Sequence, residues 1–462
     1  GARVTMEHRI KHAVEMHRSE ILEVLEYIRR HPETGYHEEK TSKYLETKFS
    51  DLGYCLTLAG DIPGFYTVID TGRPGPEVMV MAELDALLCP NHPDAEPQTG
   101  AAHACGHHAQ CAALFGLAAA LREEGVLDGL CGKIRLCAVP AEETGELEFR
   151  KALKEKQIIS HMGGKREFLA RGMFDGVEIA FLVHTLTSDY YTVAGRAVGL
   201  VCKRAVYKGV AAHAGSAPDK GHNALYAATF GLTAVNALRE TFREDDHIRV
   251  HPIITQGGSA INTIPDYVAI ETFVRGISFE AITQANNKIN RALCAGAVAL
   301  DTQLEIQDVS GAAPLLDDEN LIIAAQEALA SVDPDAIFVY DKHSVDTGST
   351  DMGDLSGLIP VVYLYTPGAS GKGHSSNYSI SDPERACVIS AQWQLELLCL
   401  LLRNDAKRAR EIISAYTPLY KSKEDFFQTA ETFDLDAELI SRDESGSIII
   451  KSGKGAMRGS KP

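Results

Sequence analysis

One short segment of the chain carries four side chains of types that bind metal ions well, in the order His103-Ala-Cys105-Gly-His107-His108. Cys105 and His107 stand two residues apart in a glycine-containing turn, so their thiolate and imidazole can face one ion. This pair of ligands suits zinc, with manganese or cobalt as alternatives. A buried cysteine beside surface histidines would have the same sequence, so the segment alone leaves both interpretations open.

The adjacent carboxylates Glu142 and Glu143 follow an apolar run. Two neighbouring carboxylates there repel each other and lose solvation unless a cation lies between them. A metal ion would relieve that cost for one carboxylate and leave the other free as a base. The alternative is a solvated acidic turn, because Glu146 and Glu148 follow closely.

Two isolated histidines complete the candidate set. His184 follows an apolar run, and His374 lies in the glycine-rich loop Gly371-Lys-Gly-His-Ser-Ser. Each alone would more often be a histidine whose hydrogen bonds are satisfied within the fold. Together, the thiol, the imidazoles and the paired carboxylates predict a two-metal site, which polarises a carbonyl and generates hydroxide near neutral pH.

The apolar runs before these residues predict the strands that position them, at 78–82, 134–139, 179–183 and 360–365. Helical patterns occur at 7–30, 40–52 and 109–124. This alternation predicts a parallel or mixed sheet covered by helices. The polar residues follow the carboxyl ends of the strands, where open α/β sheets place their ligands.

The segment 193–309 has a different pattern. Predicted strands at 200–207, 248–255, 267–274 and 303–309 alternate with helices at 223–238 and 279–300, which indicates an inserted β-α-β-β-α-β unit. We therefore expect a mixed-sheet α/β catalytic domain in two parts, 6–192 and 310–415. An inserted α+β domain, 193–309, interrupts it, and a C-terminal extension of unknown role, 416–462, follows.

Composition narrows the classes of protein. The formal net charge of -18 argues against a nucleic-acid or anionic-membrane partner. No uninterrupted apolar run reaches the about 18 residues of a membrane span, and no basic-then-apolar leader opens the chain. The ten cysteines follow no framework pattern, which is typical of a reduced, cytoplasmic protein.

Several motifs, in order between about residues 10 and 405, together resemble one metallopeptidase family. The motifs are His31-Pro-Glu-Thr-Gly, Ala82-Glu-Leu-Asp-Ala-Leu, His103-Ala-Cys-Gly-His, Pro140-Ala-Glu-Glu, Gly258-Ser-Ala-Ile-Asn-Thr-Ile-Pro and Gly348-Ser-Thr-Asp. That family contains aminoacylase, hippurate hydrolase, indole-acetyl-amino-acid hydrolases and p-aminobenzoyl-glutamate hydrolase. The resemblance implies five metal ligands, with Cys105 bridging two ions: Cys105, His107, Glu143, His184 and His374.

The resemblance also implies roles for residues that do not bind metal. Glu142 would be the general base, and Asp85 would orient a ligand. In the insert, His213 resembles a lid histidine that stabilises the oxyanion, while Asn262 and Arg275 resemble a pair that grips a substrate carboxylate. The alternatives are a surface histidine, a turn asparagine and a surface arginine.

Three features depart from the family pattern. His108 stands where relatives often carry Asp or Asn. Glu83 stands where many relatives carry Asp, and in this it resembles the aminobenzoyl-glutamate and dipeptidase branches. The chain beyond about residue 410 exceeds the usual family length. The resemblance also implies that the insert, 193–309, is a lid and dimerisation domain. In such a homodimer, the lid histidine of one chain would reach the metals of the other.

We therefore expect a hydrolase that uses two divalent ions per chain, zinc or manganese. Its substrate would be a small-molecule amide, an N-acyl or N-aroyl amino acid or a dipeptide with a free carboxylate. One alternative is hydrolytic deamination of an aromatic amine on the same site. A degenerate dimeric binding protein is another, and it would require the loss of ligands.

Overall fold

The computed structural model describes residues 5–451, which divide into two compact units. Of the described residues, unit 1 holds those up to 196, 316–345 and 354–419. Unit 2 holds 197–315, 346–353 and those from 420 onwards. The C-terminal segment, for which the sequence predicted no role, thus contributes to unit 2. The predicted boundaries of the functional domains stay predictions.

The α-helices of the described residues are α1 Met6–Glu15, α2 Arg18–Arg30, α3 Glu39–Asp51, α4 His107–Ala120, α5 Leu147–Glu155, α6 Gly164–Ala170, α7 Ala224–Ala237, α8 Phe279–Leu300, α9 Glu319–Val332, α10 Gly353–Ser356, α11 Ser390–Ala415 and α12 Lys423–Glu431. Within α11, residues 403–406 have non-helical backbone angles.

The strands are β1 Thr57–Leu58, β2 Phe65–Asp70, β3 Glu77–Glu83, β4 Leu87–Leu88, β5 Ala101–Ala102, β6 Lys133–Val139, β7 Ile179–Leu186, β8 Tyr191–Val193, β9 Arg196–Ala197, β10 Gly199–Lys208, β11 Arg249–Val250, β12 Ile253–Gln256, β13 Tyr267–Gly276, β14 Gln303–Ser310, β15 Leu315–Leu316, β16 Phe338–Val339, β17 Val361–Pro367, β18 Ala369–Ser370, β19 Ser379–Ile380, β20 Leu435–Arg442 and β21 Ile448–Ile450.

Unit 1 is built on a mixed eight-stranded sheet of order β1-β2-β6-β3-β7-β17-β8-β16. Strands β6, β3, β7 and β17 run parallel to one another at its centre. All seven residues of β3 are buried, as expected for a central strand covered on both faces. Helix α4 is buried along its whole length, and its many alanines let it pack closely against β3 and α2.

Unit 2 is built on an antiparallel sheet of order β11-β13-β10-β14-β20-β21, with β12 also paired to β13. Helices α7 and α8 pack against each other and against this sheet. Ser278 caps α8 by accepting a hydrogen bond from the Ala281 N–H. The predicted mixed-sheet α/β fold with an α+β insert is confirmed.

Two predicted elements are wrong in detail. The helix predicted over 7–30 is two helices, α1 and α2, separated at Met16 and His17. The strand predicted over 248–255 is two short strands, β11 and β12, separated by His251 and Pro252. Proline has no N–H to donate, so it interrupts the strand at that position.

Within the described residues, one helical stretch, 384–415, is long and apolar enough by composition to cross a membrane. Its most apolar part is 83% buried within the protein. Trp393, on this stretch, is fully buried, and its indole N–H donates to the Ala325 carbonyl at 2.8 Å. The stretch is therefore packed as a core helix of unit 1.

Candidate metal centre

Three neighbouring parallel strands bring polar side chains to one edge of the unit 1 sheet. β3 lies between β6 and β7 and is parallel to both. Glu83 ends β3 and Asp85 follows, Glu142 and Glu143 follow β6, and His184 lies near the end of β7. Because the carboxyl ends of parallel strands meet at one edge, strand topology alone gathers these five residues.

The thiol and one imidazole come from the start of α4. Gly106, the N-cap residue, has a left-handed backbone with φ of 90° and separates Cys105 from His107. A Cβ at Gly106 would lie 2.1 Å from the Thr185 hydroxyl oxygen and 2.3 Å from that of Tyr378. Only glycine fits this turn. Cys105, His107 and His184 offer ligand atoms that all lie within 4.8 Å of one another.

Hydrogen bonds fix which nitrogen of each imidazole carries the proton. The Nδ1 of His107 lies 2.7 Å from the Asp85 carbonyl oxygen, and that of His184 lies 2.8 Å from the Thr185 carbonyl oxygen. A carbonyl only accepts, so both Nδ1 atoms carry hydrogen, and the neutral rings have their lone pairs on Nε2. The Nε2 of His184 lies 3.4 Å from the Cys105 sulfur.

Asp85 holds two of the predicted ligands. Its carbonyl accepts from His107, and its Oδ1 lies 3.2 Å from the same Nδ1. Its Oδ2 accepts the Glu143 N–H at 2.8 Å. This fully buried carboxylate therefore orients both an imidazole and the backbone of the second acidic residue.

A second group of possible ligands consists of Cys105, Glu143 and His374. His374 lies in the loop between β18 and β19, and its N–H donates to the Ala104 carbonyl at 2.8 Å. Its Nε2 is 3.3 Å from Oε1 of Glu143. Cys105 belongs to both groups, so one thiolate could serve two ions.

The chemistry of these side chains fits a divalent cation. Burial, together with the nearby Glu143, raises the pKa of the Cys105 thiol well above its usual 9.0. The Nε2 of His107 is buried without a hydrogen-bond partner. A cation between them would favour the thiolate and provide a partner for the imidazole lone pair. The mixture of sulfur, nitrogen and oxygen donors suits zinc or manganese.

The turn that presents Glu142 and Glu143 is held at Ala141. This residue has a positive φ of 53°, which is uncommon for a side chain with a Cβ. Its N–H donates to Oε2 of the fully buried Glu38 at 2.9 Å, and its carbonyl accepts the Gly164 N–H at 2.9 Å. The backbone N–H and the backbone carbonyl of Ala141 are thereby both held by hydrogen bonds.

The interactions of Glu83 were not foreseen from the sequence. This fully buried carboxylate pairs with the equally buried ammonium group of Lys165 and accepts a 3.0 Å hydrogen bond from the Gln110 amide. Its Oε1 is 3.4 Å from Nε2 of His107. Neither Lys165 nor Glu38 has a motif or periodic pattern that would have marked it.

The three predicted lid residues lie in unit 2. His213 is exposed, and its Nδ1 accepts the N–H groups of Gly215 and Ser216 at 3.1 and 3.0 Å, so its Nε2 carries the proton. Exposed Asn262 lies on the neighbouring backbone segment, where its carbonyl accepts the Ala214 N–H at 2.8 Å.

Arg275, near the end of β13, is half-buried. Its Nη1 donates to the Ser349 hydroxyl at 3.0 Å, and its Nε donates to Nε2 of His251 at 3.2 Å. Burial and the neighbouring Arg275 lower the pKa of His251, so this ring accepts the hydrogen bond in its neutral form. The side chain is thus held by neutral partners.

The structure therefore gathers seven of the predicted site residues in unit 1: Asp85, Cys105, His107, Glu142, Glu143, His184 and His374. It places the other three, His213, Asn262 and Arg275, in unit 2. Their assigned roles stay predictions.

Comparison with known proteins identifies relatives of this chain. It is 28% identical to the Xaa-Arg dipeptidase of Mus musculus over 303 residues, which cover 64% of this chain and 63% of the relative. It is 30% identical to one chain of the p-aminobenzoyl-glutamate hydrolase of Escherichia coli over 264 residues, which cover 53% and 56%. The chain thus spans less than two thirds of either relative's length.

A solved structure shares the fold. It is a dinuclear metal binding peptidase of the M20 family from Bacillus subtilis, with a TM-score of 0.63, 21% identity, and coverage of 84% of this chain and 99% of that one. Residues 79–398 match the model of peptidase family M20/M25/M40. This match confirms the resemblance of the motifs, and the chain belongs to peptidase family M20/M25/M40, a family of metal-dependent hydrolases.

Proposed function

We propose that this protein hydrolyses the amide bond of N-acyl or N-aroyl amino acids, or of dipeptides, that have a free carboxylate. The observation that carries the proposal is the cluster at the sheet edge. There Cys105 is common to two groups of possible ligands, and Glu142 lies beside them. Names of relatives support the bond type, since they include a dipeptidase and a p-aminobenzoyl-glutamate hydrolase.

We further propose that the cluster binds two divalent ions, zinc or manganese. The ligands would be Cys105, His107, Glu143, His184 and His374, with Cys105 shared. When bound, such ions polarise a carbonyl and lower the pKa of water. The structural relative from Bacillus subtilis, described as a dinuclear metal binding peptidase, supports this number of ions.

The chain's own residues then divide the work. Glu142 accepts a proton from the attacking water and later donates it to the leaving nitrogen. Its Oε2 lies 3.8 Å from His107 Nε2, which places it at the ligand cluster. Asp85 keeps Nδ1 of His107 protonated, so the lone pair of that ring stays on Nε2.

Unit 2 would supply the groups that recognise the substrate. The hydrogen-bonded tautomer of His213 leaves an Nε2–H that can donate to the developing oxyanion. The guanidinium of Arg275 and the amide of Asn262 would bind the free carboxylate.

We also propose a homodimer formed through unit 2. All four residues of β12 are exposed, including Ile253 and Ile254. Tyr226 and Phe230, one turn apart on α7, are also exposed. Exposed apolar side chains on a strand and a helix are typical of an interface.

We propose in addition a cytoplasmic location. All ten cysteines lie among the described residues and none is in a disulfide, which is typical of a protein from a reducing compartment.

One experiment tests the central proposal. The purified protein, stripped with a chelator and reloaded with zinc or manganese, should bind close to two ions per chain by elemental analysis. It should then release amino acids from a panel of N-acyl amino acids and dipeptides. Full activity in the metal-free protein would refute the proposal, and release of ammonia alone would favour the aromatic-amine deaminase.

A further inference from the structure

The ion pair between Glu83 and Lys165 lies beside the predicted metal ligands but belongs to neither group that contains Cys105. The Lys165 ammonium donates to Oε2 of Glu83, and the Gln110 amide donates to Oε1 at 3.0 Å. The backbone N–H of Glu83 in turn donates to the side-chain oxygen Oε1 of Gln110 at 3.1 Å. Both charged side chains have no exposed surface.

The same carboxylate also faces the metal centre. Oε1 of Glu83 lies 3.4 Å from Nε2 of His107, and that nitrogen lies 3.8 Å from Oε2 of Glu142. Glu83, His107 and Glu142 therefore form a third group whose ligand atoms lie within 4.8 Å of one another. An ion held by this group would not contact Cys105 and would take Glu142 as a ligand.

Charge decides whether the third group can compete with the two groups that contain Cys105 for a metal ion. A buried carboxylate without a partner strongly attracts a cation, because it has lost its solvation. The Lys165 ammonium already provides the compensating charge, and it would repel a divalent ion placed on the same carboxylate. With Lys165 in place, a divalent ion therefore binds more tightly to the two groups that contain Cys105 than to the third group.

We propose that Lys165 is a positioning residue that prevents Glu83 from binding a metal ion, so that the ions are held through Cys105 and Glu142 remains a base. The inference rests on the proposed function for the ions held through Cys105 and for the role of Glu142 as a base. It assigns a purpose to Glu83, the acidic residue that departs from the common family pattern. The ammonium of Lys165 occupies the position beside Glu83 that a metal ion would otherwise take.

The test uses cobalt in the intact chain, because thiolate-to-cobalt charge-transfer absorption reports the ions bound through Cys105. The variant Lys165→Gln removes the charge but can still donate a hydrogen bond to Glu83. We expect its absorption per bound cobalt to fall to about half or less of the wild-type value. Turnover should fall on the order of 10²-fold, because the general base has become a ligand.

Two further variants separate this role from simple stabilisation. The double variant Glu83→Gln/Lys165→Gln removes the freed carboxylate and should regain wild-type absorption and turnover. Lys203→Gln is the matched control, because Lys203 forms an equally buried ion pair with Asp308 in unit 2. It should lower stability and leave the cobalt absorption unchanged.

The inference is overturned if folded Lys165→Gln keeps the wild-type absorption, since Lys165 would then only stabilise the fold. Should that variant not fold, the double variant decides, and low absorption there also overturns it. The optical signal does not depend on turnover. A wild-type protein that binds cobalt through Cys105 but cleaves no amide would refute the proposed hydrolysis, while the cobalt absorption would still test whether Lys165 keeps metal ions off Glu83.

Discussion

Glu142 and Glu143 are neighbours in sequence, yet their surroundings differ. Glu143 is tied to its place, with its N–H on Asp85 and its carboxylate 3.3 Å from His374. Although burial opposes ionisation, the hydrogen bond from His374 lowers the pKa of Glu143 below its usual 4.5. Oε2 of Glu142 instead lies 3.8 Å from Nε2 of His107. The difference favours a ligand role for Glu143 and a base role for Glu142.

Substitution should separate these two roles. Glu142→Gln should keep both ions and lose turnover by on the order of 10²–10⁴-fold, because the proton acceptor is gone. Glu143→Ala should weaken ion binding, measured by titration with a metal indicator. Glu148→Gln, an exposed carboxylate in the same region, serves as the control and should change neither. Near-normal turnover in Glu142→Gln would show that the base lies elsewhere.

Arg275 offers a second test at the level of one side chain. Arg275→Ala should raise KM about 30-fold, or ~2 kcal/mol, because the substrate carboxylate loses its charged partner. Amidated forms of the same substrate should be poor with the wild type and little affected by the variant. Arg249, its cross-strand partner in β11, is exposed, so Arg249→Ala is the control. Equal rates on acid and amide forms would contradict the assignment.

At the scale of elements, the geometry of the candidate metal centre depends on the turn after β6, which presents Glu142 and Glu143. Ala141 is fixed through its N–H by Glu38 and through its carbonyl by Gly164. A Cβ at Gly164 would lie 1.5 Å from the Pro140 carbonyl oxygen, so α6 must begin with glycine to approach the turn. The turn is therefore shaped by contacts from Glu38, the N-cap residue of α3, and from Gly164 of α6.

Loss of the buried acceptor should loosen this turn. Glu38→Leu should lower the free energy of unfolding by ~2 kcal/mol and weaken ion binding, because the Ala141 N–H is left buried and unpaired. Glu38→Gln keeps an acceptor and should bind ions normally. Chemical denaturation and metal titration measure the two effects. Normal ion affinity in a folded Glu38→Leu variant would show that the turn keeps its conformation without the hydrogen bond to Glu38.

The stability of the protein should also depend on pH through Glu38, and the Glu38→Gln variant tests this. Burial, with Asp85 nearby, raises the pKa of Glu38 well above its usual 4.5. The folded chain then keeps a proton that the unfolded chain releases, so this group's contribution to stability falls as pH rises from about 4.5 towards the folded pKa. Glu38→Gln should lose that fall, which denaturation of the metal-free protein at several pH values would reveal.

The central strands and the helices of the insert could be predicted, because their apolar patterns are local. The predicted helix 279–300 coincides with α8, and the buried runs before Glu83 and Glu142 coincide closely with β3 and β6. Glu38 and Lys165 could not be found in this way. Their partners lie 103 and 82 residues away in the sequence, and burial of a charged side chain depends on contacts that no local pattern records.

At the scale of the whole molecule, the proposed homodimer determines where His213 acts. We expect each active site to combine metal ligands from one chain with His213 from the other. The exposed apolar residues of β12 and α7 are the proposed contact surface. A shared site would make oligomeric state and activity inseparable.

Subunit mixing tests this arrangement. His213→Ala and His374→Ala should each be nearly inactive alone, because every site lacks one essential group. After subunit exchange, the mixed dimer should regain one working site with intact ligands from one chain and an intact His213 from the other. Exchange is followed by labelling one variant with a fluorophore and the other with a quencher. If exchange occurs without recovery, His213 acts within its own chain.

Strand β20 pairs with β14 along its length, and Leu439 and Ile440 of β20 belong to the core of unit 2. During synthesis, β14 leaves the ribosome long before β20 does, and the strands of unit 1 from 361 onwards are made in between. A nascent chain thus carries an open edge on β14 until the residues of β20 have been made. Premature stop codons before residue 435 should therefore yield aggregating chains rather than a shortened enzyme.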